Sequence, residues 1–377
     1  MRNLLIKFFL ISVLVFAWTT ANANDVKYRN ATISLITCTG GSELYSTFGH
    51  SALRVKDDSL SMDVIFNFGL FDFATPNFYL KFMQGKLNYM LGVQNTEDFL
   101  WQYDYEGRGV VEQIIDLTQE QKNEIMERLI YLYRPENRYY LYSFLFKNCT
   151  TELRDILENY VELPTGTEDK NFRELINGYV RESKWTRAGI NLILGSNLDR
   201  VISLREGMFL PDKLFDGLSE SADFKELMPR KETSVSKPTN FFISPLFISI
   251  IIFLLTVASR FIRVLRPVQD IVLVLSALLG LVLTGIIIMT DHIELHANYN
   301  LLWCNPIYAL LLVTLPFVKR CGKLARVLII ILLVLSLTIA VIWLNGIQGY
   351  LPEYVLIVAS QFAMLGGIRE RVNEKTV

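Results

Sequence analysis

Histidine and cysteine are scarce in this chain: its 377 residues hold three histidines and four cysteines. None of them falls at the spacing of a zinc module, and no glycine-rich loop of the phosphate-cradling kind occurs. Basic residues form no stripe, and 37 Lys and Arg against 38 Asp and Glu leave a net charge of −1. That balance lacks the surplus of positive charge on which nucleic-acid binding depends. No internal repeat is present, which excludes solenoid architectures. No metal, no cofactor and no nucleic-acid partner is therefore expected.

Charge itself is missing from one part of the chain. From about residue 240 charged residues become rare, and apolar runs long enough to cross a bilayer follow in series. We expect a membrane domain over 237–377, with spans at about 241–262, 268–290, 301–318, 324–344 and 350–368. The third is short and contains Pro306 and Pro316. Two connections, 291–300 and 344–350, have no Lys or Arg at all. The other connections carry Arg260, Arg263 and Arg266, then Lys319, Arg320, Lys323 and Arg326; Arg369 and Arg371 follow the last span. Because basic residues favour the cytoplasmic side, this alternation fits five spans, a cytoplasmic C-terminus and an exported N-terminal domain. It also sets His292 and His296 on the exported side.

The chain begins MRNLLIKFFLISVLVFAWTTANAN, with Arg2 and Lys7, an apolar run and then Ala21-Asn22-Ala23. That order describes a secretory signal peptide over 1–23; an uncleaved anchor is the alternative. In both readings the domain at 24–236 is exported.

Within that domain ATISLITC (31–38) is a β-branched, apolar run and reads as a buried strand. HSALRV (50–55), SMDVIFNF (61–68), KLNYMLGV (86–93) and GVVEQIIDL (109–117) read as further strands. Thr118 and Gln121 form a capping box for a helix that runs to about Tyr133 and stops before Pro135. A second helix starts at Asn148, and the polar stretch 229–240 links to the first span. Strands dominate the first half and helices the second, so the exported domain is α+β.

The helix after Asn148 carries an apolar stripe, Leu153, Ile156, Leu157, Tyr160 and Val161. Asn148 is a good N-cap, which puts Cys149 at the first helical position. There the free N–H groups and the helix dipole favour a thiolate and offer donors to an oxyanion. A nucleophilic thiol needs a base, and the exported domain has one histidine, His50. Other readings stand beside this one. Cys38 and Cys149 are the domain's two cysteines and suit a disulfide in an exported protein. Cys149 also suits an inert interior position, and Asn148-Cys149-Thr150 fits the N-glycosylation pattern.

TCTGGSELYSTFGHSALRV (37–55), FNFGLFDF (66–73), PNFYLKFMQGKLNYML (76–91) and FLFKNCTTELRDIL (144–157) together resemble the exported domain of Lnb-type lipoprotein N-acyltransferases. MFLPDKLF (208–215) and HANYNLLWCNP (296–306) resemble that family too. A histidine strand ahead of a cysteine helix is also similar to the circularly permuted papain-like (NlpC/P60) group. The resemblance implies a permuted papain-like domain followed by an all-α membrane domain. It matches Cys149 to the nucleophile and His50 to the base. For the orienting residue Asp63, Asn67 and Asp72 lie near enough in sequence, with Asn67 and Asp72 favoured. Glu43 and Tyr45 are expected to line the pocket, with Cys38 as a further pocket residue.

The i, i+4 spacing of His292 and His296 would suit a metal site on a helix, but the polar ANYN run and Pro306 favour a loop, and no third ligand is evident. We expect this loop, with Asn298, to lie under the exported domain and touch lipid headgroup or close the site. The activity implied is transfer of an acyl chain from a membrane phospholipid to the α-amine of a diacylglyceryl-cysteine apolipoprotein through a thioacyl enzyme. A membrane-anchored papain-like cell-wall peptidase or amidase, or a non-catalytic module that binds lipoprotein or lipid, are the other classes.

Overall fold

The structure, a computed structural model, describes residues 28, 30–219, 222–231 and 238–376. The signal segment expected at 1–23 lies outside the described residues, as does the middle of the polar linker.

The exported part is built on a seven-stranded sheet in the order β6-β4-β3-β2-β1-β5-β7. Its strands are β1 (Thr32–Cys38), β2 (His50–Asp57), β3 (Met62–Leu70), β4 (Asn88–Asn95), β5 (Val110–Ile115), β6 (Tyr139–Leu141) and β7 (Ala222–Met228). All neighbouring pairs are antiparallel. The five expected strands form where β-branched and alternating residues favour a half-buried pleat. The two unexpected ones, β6 and β7, are the edges. β6 is three residues long, and β7 carries Asp223, Lys225 and Glu226, the charged composition that suits an edge.

Helices α1 (Phe78–Met83), α2 (Thr96–Glu106), α3 (Gln119–Tyr133) and α4 (Cys149–Leu157) intervene or follow. They are succeeded by α5 (Phe172–Tyr179), α6 (Lys184–Ile193), α7 (Leu204–Gly207) and α8 (Pro211–Leu218). The capping box of α3 is present in both directions between Thr118 and Gln121, and the helix ends at Tyr133, just ahead of Pro135. On one sheet face Leu35, Leu53, Val55, Phe66 and Phe68 meet Leu153, Ile156 and Leu157 of α4 and Ile125, Met126 and Leu129 of α3. Each such side chain contributes on the order of 1.5–3 kcal/mol by leaving water. Ile36, Ala52 and Ile65 form a second cluster with Phe99 and Tyr103 of α2.

The C-terminal part is helical: α9 (Pro245–Ala258), α10 (Pro267–Met289), α11 (Ile307–Thr314), α12 (Val318–Leu344) and α13 (Pro352–Thr376). Two stretches are long and apolar enough to cross a membrane by length and composition, Arg263–Met289 and Tyr299–Leu344. The second contains both the third and the fourth expected spans. Only a 3₁₀ turn, Leu315–Phe317, separates α11 from α12, because Pro316 cannot continue the hydrogen-bond ladder. Tyr308 and Leu311 of α11 share one core cluster with Leu328, Ile329 and Leu332 of α12.

The helical and exported parts meet through polar caps. Asn298 Nδ2 donates to the carbonyls of Leu192 and Ile193 at 2.8 and 3.0 Å, and Asn300 Nδ2 to those of Asn191 and Leu192 at 3.2 and 3.0 Å. These carbonyls belong to the last turn of α6, where the helix has no further N–H groups to donate to them.

Candidate active site

Asn148 has an extended backbone, and its Oδ1 accepts from the N–H groups of Thr150 and Thr151, both at 2.8 Å. Its Nδ2 donates to the carbonyls of Phe144 and Phe209 at 2.7 and 2.9 Å. The Thr151 hydroxyl accepts from the Asn148 N–H at 2.8 Å, which closes the capping box. Asn148 is thus the N-cap, but its amide is fully engaged and is not a donor for an oxyanion. The first-turn N–H that remains is that of Cys149, which heads the helix with its side chain half-buried.

His50 opens β2, and α4 packs on β2 and β3. Its Nε2 pairs with Asn67 Oδ1 at 2.7 Å, so Nε2 carries the proton. Nδ1 is the ring nitrogen left to interact with the Cys149 thiol. Burial pushes the thiol up, but the charge and hydrogen bond of His50, the Ser51 N–H and the Thr150 hydroxyl outweigh it and hold Cys149 at about 7. Burial likewise pushes His50 down, and the charge and hydrogen bond of Cys149 with the bond to Asn67 leave it above its ordinary value. Opposite shifts in one contacting pair describe a thiol and imidazole that share a proton near neutrality.

The structure brings together Cys149, His50 and Asn67. Asp72 does not join them: its carboxylate accepts from the Ala74 N–H at 2.8 Å and stabilises an exposed turn. Asp63 is committed to Arg54 at 2.7 Å and to Thr96. Cys38 pairs with His50 in the sheet register, beside it on the neighbouring strand, and is 0 % exposed. Burial raises its thiol to about 12, against the lowering effect of Arg108, and both Cys38 and Cys149 are free thiols. Glu43 is exposed, and its backbone carbonyl, not its carboxylate, accepts from Ser46 and Thr47. Tyr45 is exposed and meets Phe71 and Phe73 edge-on at 6.4 Å.

The 291–300 loop does lie against the exported part, through different atoms from those expected. His292 and His296 are separated by a single 3₁₀ turn, Ile293–Leu295, and do not share a helix face. His292 Nε2 bonds the Phe82 carbonyl at 2.9 Å, and His296 Nε2 the Thr290 carbonyl at 3.4 Å. Asn298 is 6 % exposed, and its side-chain amide is spent on the carbonyls at the end of α6.

Sequence reasoning missed Glu294, which is 3 % exposed. Its carboxylate accepts from the Ser143 hydroxyl and from the Leu145 N–H at 3.3 Å, on the turn that leads into Asn148. It also missed Gly69, with φ +89°, where a Cβ would lie 3.4 Å from that of Cys149. The strand pairing shifts between Asn67 and Leu70, a bulge that opens β3 beside the thiol. Tyr140 was missed as well. Its buried hydroxyl lies near Gly69 on the Cys149 side, and burial with the charge of Cys149 raises it. The aromatic run YYLYSF just before the cysteine was the one signal for it. Tyr140 also lines a cleft of about 570 Å³ with Arg128, Lys147 and Glu152; Cys149 does not line that cleft.

Comparison with known families gives two matches. The model for the Lnb N-terminal periplasmic domain matches residues 18–177, and that for the Lnb transmembrane domain matches residues 230–367. No curated protein and no solved structure matches the chain.

Proposed function

This chain belongs to the Lnb family, a bacterial inner-membrane protein with a periplasmic N-terminal domain, and from that premise we propose that it is a thiol-dependent lipoprotein N-acyltransferase. The observation that carries the mechanism is the Cys149–His50–Asn67 arrangement, with the thiol lowered to about 7.

In the proposed reaction His50 Nδ1 takes the Cys149 proton, and the thiolate attacks the ester carbonyl of a membrane phospholipid. The tetrahedral oxyanion meets the Cys149 N–H, with the Tyr140 hydroxyl beside it. The ester C–O bond then breaks, and His50 returns its proton to the glycerol oxygen. A lysophospholipid leaves, and a thioester stays on Cys149. The α-amine of a diacylglyceryl-cysteine apolipoprotein next attacks that thioester, and the C–S bond breaks as the amide forms. The amine's proton passes through His50 and restores the pair. Asn67 acts throughout by holding the imidazole in the tautomer that leaves Nδ1 free.

The proposal retains a domain over 24–236 with a permuted papain-like arrangement, and a membrane domain of five spans over 237–377 with a cytoplasmic C-terminus. A protein whose two substrates both stay in the bilayer gains effective concentration from such anchoring. The test is Cys149→Ala in cells without another N-acyltransferase, read by mass spectrometry of lipoprotein N-termini. Loss of the N-acyl group, with an acyl thioester trapped on wild-type Cys149 when acceptor is withheld, is expected. Triacylated lipoprotein in the variant refutes the thiol mechanism.

A further inference from the structure

Helix α1 is an anomaly of the exported part, because none of its six residues is buried. Around it Phe73 is 59 % exposed, Tyr79 74 %, Leu80 42 %, Phe82 46 % and Met83 43 %. A soluble surface rarely leaves so many large apolar side chains side by side, and such a patch marks a partner.

Three polar contacts fix where the patch sits. The Asp291 N–H donates to the Gln84 carbonyl at 3.0 Å, His292 Nε2 donates to the Phe82 carbonyl at 2.9 Å, and Lys86 pairs with Asp291 at 3.7 Å. Asp291 comes two residues after the end of α10, which lies in one of the two stretches long and apolar enough to cross a membrane. The C-terminus of α1 is therefore tied to the end of a membrane helix. Ile288, Met289 and Ile293 are also exposed there, so the apolar surface of that helix end is continuous with the patch.

The patch also leads inward. Phe73 packs on Phe71 at 4.9 Å, Phe71 on Tyr89 at 5.2 Å, and Tyr89 stacks on Tyr142 at 4.3 Å. The connection starts just past Gly69, where a Cβ would lie 3.4 Å from that of Cys149.

We propose that the β3–β4 connection, Phe71–Met83, rests in the outer leaflet of the bilayer and passes phospholipid acyl chains along its aromatic row toward Cys149. The delivery half of this proposal rests on the thiol acyl-transfer reading; the membrane contact does not. Aromatic and aliphatic side chains at the end of a membrane helix gain by leaving water for the interface, whereas a protein partner would have to reach a surface that the bilayer already faces.

The test uses the full chain in vesicles of phosphatidylethanolamine and phosphatidylglycerol, with the photocrosslinker p-benzoylphenylalanine placed at Tyr79. A second protein carries it at Leu60, which is 50 % exposed in the turn at the other end of β3, a strand roughly 30 Å long at about 3.3 Å per residue. Phospholipid adducts at least fivefold more abundant at Tyr79 are expected. Equal yields at the two sites, or adducts at Tyr79 only with protein, overturn the membrane contact. A variant with Tyr79→Asn, Leu80→Asn and Met83→Asn is expected to acylate Cys149 from vesicle phospholipid at least tenfold more slowly, and an unchanged rate overturns delivery. If wild-type Cys149 takes no acyl chain, the thiol reading and delivery fall together, while the adduct ratio still decides the membrane contact.

Discussion

The reactivity of Cys149 comes from opposed effects on one atom. Burial alone would leave the thiol inert, as it does for Cys38, which is held at about 12. His50 makes the difference, helped by the Ser51 N–H and Thr150, and brings Cys149 to about 7. Because the value is lowered, the thiolate is present above about pH 7 and is lost as pH falls through it. Iodoacetamide labelling of Cys149 should therefore rise tenfold per unit up to about pH 7 and then level off. In His50→Ala the level region should move up toward ordinary thiol values, and acyl transfer should fall on the order of 10²–10⁴-fold. Asn67→Ala leaves His50 its charge but removes its orientation. Transfer should drop while the labelling profile moves less than in His50→Ala; an equal movement of both profiles contradicts the positioning role.

At the scale of elements, the cap and the loop beneath it decide where the thiol points. Asn148 satisfies two helix N–H groups and two carbonyls from separate segments, Phe144 and Phe209. Asn148→Ala should cost about 1–2 kcal/mol, seen as a fall in thermal midpoint of a few degrees, with slower thiol labelling at pH 7 because α4 no longer starts in register. Glu294 holds the turn ahead of the cap from the other part of the chain. Glu294→Ala leaves the Leu145 N–H buried without an acceptor, a loss of about 1–3 kcal/mol. Hydrogen exchange should then quicken over 143–147 before it quickens in the sheet. Uniform exchange across the domain would contradict this local role.

At the scale of the whole molecule, the two parts are joined by polar contacts laid over an apolar base. Arg173 is 3 % exposed and pairs with Asp199 at 2.7 Å while donating to the carbonyls of Leu194 and Gly195 at 3.2 and 2.8 Å. Gly349 of the 344–350 connection packs against that pair so closely that a Cβ would lie 2.6 Å from Arg173. Removing one member of a buried ion pair costs about 3–5 kcal/mol. Arg173→Ala should open the seam between the parts, measured as protease cutting near 195–200 in intact membrane protein. The five-span arrangement predicts that a cysteine placed at Ile347 is labelled by a membrane-impermeant maleimide from the periplasmic side and one placed at Lys323 is not. The reverse pattern contradicts that topology.

Much of this protein was legible in local pattern. The inner strands β1 to β5, the capping box at Thr118 and the start of α4 at Asn148 follow from alternation and cap chemistry, while the scarcity of histidine made His50 one candidate partner for Cys149 that the family resemblance favoured. The strands, the capping box and the helix start depend on residues adjacent in sequence. What only tertiary structure decided depends on distance through space. Asn67 and Asp72 are equivalent by sequence position, yet the bulge in β3 leaves one on the imidazole and sends the other into a solvent turn. Asn298 and Glu294 lie in one loop, and packing against α6 and the 143–147 turn made the first a helix cap and the second a buried support. Composition determines that a polar side chain needs a partner; the fold determines which partner is within reach.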